Sequence, residues 1–125
     1  MELHPNLAHL AGLIGTWRGE GMGEYPTIKN FSYNDELTFT NIGKPFLLFT
    51  QRTSVNGVPM HTETGYWRAP TPSEIEVVVA IPTGQAELGV GTCEHLEEGV
   101  LQIVTEAEVA NAPTAKLVDR IRRIV

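Results

Sequence analysis

From Tyr33 onward the chain is a procession of short runs, each closed by residues that turn a backbone. The runs are Tyr33 to Ile42, Pro45 to Val55, Val58 to Arg68, Ile75 to Ile81, Gln85 to Thr92 and Val100 to Val109. Between them stand Asn41-Ile42-Gly43-Lys44, Asn56-Gly57, Ala69-Pro70-Thr71-Pro72-Ser73, Pro82-Thr83-Gly84 and Glu97-Glu98-Gly99. Asn56-Gly57 is a strong two-residue hairpin signal, because both central positions of that turn need positive φ. Strands at roughly ten-residue spacing joined by hairpins fit an up-and-down barrel or a sandwich. The expectation is an all-β, antiparallel up-and-down β-barrel of at least seven strands, with next to no parallel pairing.

Alternation separates the faces in two runs. In Gln85 to Thr92, Ala86, Leu88 and Val90 oppose Gln85, Glu87, Gly89 and Gly91; in Val100 to Val109, Leu101, Ile103 and Val109 oppose Gln102, Glu106 and Glu108. One face of each strand is then wet. Ile75 to Ile81 is apolar at six of its seven positions, which fits core on one side and a ligand, a partner or a second core layer on the other.

Upstream, Gly15, Gly19, Gly21 and Gly23 alternate with side chains around Trp17. Spacing by two is a strand period, so one face of that strand is bare. Glycine in a strand interior costs stability, and the reason for it here is a barrel corner, a close backbone approach, a ligand wall, or a weakened edge hairpin. Trp17 is expected to plug the closed end. Leu7, Leu10, Ala11 and Ile14, spaced by three and four after Pro5, predict a short helix capping one end. Pro26, Asn30 and Ser32 predict a loop over residues 25–32.

The 125 residues make one domain, 1–125. Fifteen acidic against nine basic residues give a net charge of -6, which argues against nucleic acid as a partner. A single cysteine, Cys93, and an N-terminus without a long apolar run imply a reducing, cytoplasmic setting with no membrane span. Cys93 reads as a buried or half-buried strand residue rather than a nucleophile. No Gly-x-Ser-x-Gly, His-Glu-x-x-His, Walker or Rossmann motif is present.

The segment Gly15-x-Trp17-x-Gly19-x-Gly21 followed by Gly-Glu-Tyr-Pro-Thr at 23–27 resembles the signature of the nitrobindin family. Further resembling stretches are His4-Pro5-Asn6-Leu7, Gly43-Lys44-Pro45-Phe46, Thr50-Gln51-Arg52-Thr53, Pro59-Met60-His61 and Glu63-Thr64-Gly65-Tyr66-Trp67-Arg68. The resemblance implies a small barrel, akin to fatty-acid-binding proteins, that holds heme b, meets nitric oxide and peroxynitrite, and turns peroxynitrite into nitrate. It implies that Met60 and His61 stand near the open face of the heme and that Thr27 lines the pocket beside it.

The same resemblance exposes a departure. The family's proximal heme histidine lies in strands beyond the segment that ends here at Val125, and none of His4, His9, His61 or His95 occupies its position, so the metal ligand is unassigned. Three readings follow: a truncated chain, a shortened relative with altered ligation, or a barrel for another ligand. An open barrel also has two unpaired edges, which allows pairing with another copy. For residues 114–125, helical spacing of Leu117, Val118, Ile121 and Ile124 competes with the family's strand, and the strand is the expectation. The alternative function is a heme-free carrier of a fatty acid or other apolar ligand, with Arg52, Arg68 or Arg120 as the carboxylate anchor.

Overall fold

The computed structural model describes residues 1–25, 28–97, 99–115 and 121–124, with side chains except at 21–31 and 121–124. Thr27 and Arg120 lie outside the described residues. Eight strands, β1 (Gly15–Tyr25), β2 (Ile28–Asn41), β3 (Phe46–Val55), β4 (Val58–Arg68), β5 (Glu74–Ile81), β6 (Gln85–Glu97), β7 (Val100–Asn111) and β8 (Ile121–Ile124), form one antiparallel sheet in chain order. Among the described residues no ladder joins β1 to β8. The expected antiparallel meander is present, the Asn56-Gly57 turn has the positive φ of 51° and 79° that it needs, and the C-terminal strand reading holds for Ile121–Ile124.

Of the loop expected over 25–32, Pro26 lies outside the described residues, and residues 28–32 are strand instead. Met22 pairs with Ser32 and Tyr25 with Ile28, so ladder hydrogen bonds override the turn chemistry of Asn30 and Ser32. The N-terminal helix, Pro5–Leu13, is a 3-10 helix, capped by His4, whose Nδ1 accepts from the Asn6 amide at 3.1 Å. Three residues per turn put Leu7, Leu10 and Leu13 on one buried face. Ala11 and Ile14, which an α-helical period would bury, are exposed. Asn6 Nδ2 donates to the carbonyls of Ala69 and Pro70 at 3.2 and 3.3 Å, pinning the helix across the β4–β5 end of the sheet.

Beneath that helix sits an aromatic core. Trp67 is fully buried and meets Phe39 edge-on at 5.1 Å and Phe49 at 5.8 Å between ring centroids. Burying a side chain of this kind contributes roughly 1.5–3 kcal/mol. Trp67 therefore plugs the closed end, and Trp17 does not: it is 51% exposed on edge strand β1, its indole N–H tied to the Leu13 carbonyl at 2.8 Å. Among the described residues β1 is hydrogen-bonded to β2 alone.

Strand β6 reverses the simple inside-outside reading. Gln85 and Glu87 are buried, while Leu88 and Val90 are 57% and 63% exposed. The three-residue turn 82–84 pairs Ile81 with Gln85, and paired residues share a face, so Gln85, Glu87 and Gly89 inherit the inward side of Ile81, Val79 and Val77. On β5 the inward residues are buried as expected, but Val78 and Ala80 are exposed and no second apolar layer covers them among the described residues. On β7 Ile103 is buried and Glu106 and Glu108 are exposed, as read, with Thr105 also inside.

The glycines of β1 do not mark a close approach at Gly15 or Gly19, the two positions open to inspection. A Cβ on Gly19 would meet nothing within 4 Å. Tight crossings lie instead at Gly65, where a Cβ would lie 2.8 Å from the Val79 Cα, and at Gly91, where it would lie 2.9 Å from the Thr105 Cα.

Candidate functional site

At the end of the sheet opposite the helix, the β3–β4 hairpin carries an irregularity with a chemical consequence. Val55 pairs with Val58 and Ser54 with Pro59, but Thr53 pairs with His61, leaving Met60 as an extra residue on β4. Successive strand residues ordinarily face opposite sides; a bulge re-aims one of them. Met60 and His61 consequently line the same cavity of about 810 Å³, together with Gly19, Asp35, Thr53 and Arg52. Gly19, with no Cβ and open space before it, widens one wall.

Thr53 Oγ1 donates to the His61 carbonyl at 3.3 Å, which holds the backbone at the bulge. The His61 ring is 37% exposed, and its Nε2 lies 3.9 Å from Oε2 of Glu63, a carboxylate only 2% exposed. Beside them Gln51 Nε2 donates to Asp35 Oδ1 at 3.1 Å. Arg18 and Arg52 bring positive charge to the rim, Arg18 through an exposed pair with Glu36 at 3.1 Å. Exposed pairs of this kind contribute little to stability.

A thioether and an imidazole are the donor types that hold or face heme iron, and the cavity is within the size range of small-molecule sites. Among the described residues no group of three or more His, Cys, Asp or Glu is placed to hold a bare metal ion. The remaining histidines are elsewhere: His4 caps the helix, His9 sits in it with both ring nitrogens buried, and His95 lines a separate cleft. Of the arginines considered for a carrier's carboxylate, Arg52 and Arg68 are exposed, and Arg68 pairs with Glu76. Cys93 is half-buried, its thiol donates to the His9 carbonyl at 3.6 Å, and burial pushes its pKa up.

Sequence reasoning found Met60 and His61 through resemblance but missed the bulge that brings them together. It also missed Glu63 and the Asp35–Gln51 contact. A regular two-residue turn at Asn56-Gly57 would pair Thr53 with Met60, so the bulge is visible only in the ladder, where Thr53 pairs with His61.

Residues 6–125 match the description "THAP4-like, heme-binding beta-barrel domain". A peroxynitrite isomerase 2 of Mycobacterium ulcerans is 47% identical over 126 residues, covering 98% of this chain and 77% of that protein. A peroxynitrite isomerase of Nocardia farcinica is 42% identical, covering 98% and 74%. The crystal structure of Rv2717c from M. tuberculosis superposes with a TM-score of 0.87 at 42% identity, covering 98% of this chain and 81% of that one.

Proposed function

This chain belongs to the THAP4-like, heme-binding β-barrel family, and on that premise we propose that it holds heme b in the Met60–His61 cavity and isomerises peroxynitrite to nitrate. The observation that carries the reading is the bulge at Met60, which turns both donors toward one cavity. The names of the Mycobacterium and Nocardia relatives support the reaction.

Heme, when bound, supplies the iron centre at which a peroxynitrite anion can be rearranged without any change in its atoms or charge. The chain supplies position and polarity. His61 presents an imidazole at the mouth, with its Nε2 turned toward the buried Glu63 carboxylate, and Met60 presents a soft, apolar thioether beside it. Thr53 fixes the backbone from which both project. Arg18 and Arg52 place positive charge at the rim, where it favours an anionic substrate and the carboxylates of a porphyrin. Thr27 completes this reading by resemblance.

The proposal extends to a cytoplasmic setting, for which the free thiol of Cys93 speaks, and to association of two copies, since among the described residues no ladder joins β1 to β8. No helix among the described residues is long and apolar enough to cross a membrane. Stopped-flow decay of peroxynitrite tests the reaction. The hemin-loaded chain should accelerate decay to nitrate beyond free hemin, and His61→Ala should slow it; a loaded chain no faster than free hemin would contradict the proposal.

A further inference from the structure

A second cavity, of about 710 Å³, opens between the end of the 3-10 helix, strands β1 and β2, and the β6–β7 hairpin. Its floor is made by core side chains, Leu13 and Phe39, which are 6% and 2% exposed. Leu37 and Leu101, half-buried, form the sides. Trp17 stands in the wall with its N–H already spent on the Leu13 carbonyl, so the ring is held in place and offers only its apolar surface. Among the described residues His95 is the one ionisable side chain in the lining, and it is exposed.

We propose that this cleft is a binding site for an uncharged, planar aromatic molecule that stacks on Trp17 and shares one hydrogen bond with the His95 imidazole. A rigid indole beside an apolar floor with a single convergent polar group is the composition of a small-molecule site, and stacking on an aromatic that is already immobilised loses little entropy. Charge selects against an anion. The net charge is -6, and the hairpin that carries His95 also carries exposed Glu94 and Glu97. Gly12 also lines the cavity, and a Cβ there would meet nothing within 4 Å. This site is separate from the Met60–His61 cavity, shares none of its lining residues and does not rest on the heme reading.

The probe is N-phenyl-1-naphthylamine, an uncharged bicyclic aromatic with one N–H, whose fluorescence rises on leaving water. Its sulfonated relative, 1-anilinonaphthalene-8-sulfonate, has the same aromatic body and a negative charge. The heme-free 125-residue chain should bind the amine with saturation and the sulfonate about tenfold or more weakly. Gly12→Leu adds a bulky side chain to the lining without a backbone clash, and Trp17→Ala removes the stacking surface. Each variant, shown folded by circular dichroism, should lose binding of the amine about tenfold or more, whereas His61→Ala should leave it unchanged. No saturable binding by the wild-type chain would overturn the proposal, as would equal affinity for the sulfonate. Binding that survives a folded Gly12→Leu, or is lost in His61→Ala, would place the probe in the other cavity and also overturn it.

Discussion

Thr53 and His61 face each other across the β3–β4 ladder, with the threonine hydroxyl donating to the histidine carbonyl at 3.3 Å, and theirs is the last regular pair before the bulge at Met60. This contact ties a turn of fixed geometry to the position of two donor side chains. Thr53→Val keeps the strand-forming shape and removes the hydroxyl. It should cost about 1 kcal/mol of stability and weaken hemin binding, read as a fall in urea midpoint and a rise in the hemin dissociation constant. Full retention of both would mean that the ladder alone holds the bulge.

Gly65 and Gly19 should respond oppositely to alanine. A Cβ at Gly65 runs into the β5 backbone at Val78 and Val79, and Gly65→Ala should cost on the order of 1–3 kcal/mol. Gly19→Ala enters open space and should leave the thermal midpoint unchanged or raise it. Equal losses at both positions would contradict the placement of the tight crossing.

Leu88 should tolerate polarity that its hydrophobic character would seem to forbid. Because it points outward and is more than half exposed, Leu88→Thr should change stability by no more than about 0.5 kcal/mol. A large loss, measured by urea unfolding, would mean that β6 faces the other way.

Much of the architecture was legible because it is local. Turn residues such as Asn56-Gly57 force hairpins wherever they fall, and hairpins in series force an antiparallel meander. The facing of β6 was not legible, since it depends on the number of residues in the turn at 82–84 and on the partner strand, and these override the apolar pattern of Leu88 and Val90. The helix was seen but given the wrong period, so that Leu13 was passed over for Ile14. The alternate glycines suggest Trp17 as the plug of the closed end, but β1 is an edge strand; the core tryptophan is Trp67, on a central strand with neighbours on both sides. At the site, resemblance named Met60 and His61, but only the register shows why two consecutive residues share a cavity.

Cys93 should titrate late. Burial raises its thiol pKa above the ordinary 9.0, so the unfolded chain loses the proton first and binds fewer protons than the native one as pH rises. The contribution to stability is therefore fully present below about pH 9 and declines above it. Alkylation by iodoacetamide at pH 8 should be slower than for a free cysteine, and the alkaline decline in urea midpoint should be shallower in Cys93→Ala. Alkylation as fast as for free cysteine would show that the thiol is open.

The central claim is that heme sits at the Met60–His61 cavity, and hemin titration followed in the Soret region tests it most directly. The 125-residue chain should give a saturable Soret shift. His61→Ala should weaken binding by about tenfold or more and change the band position, whereas His95→Ala should do neither. The absence of a saturable shift, or a band that survives His61→Ala unchanged, would contradict the account.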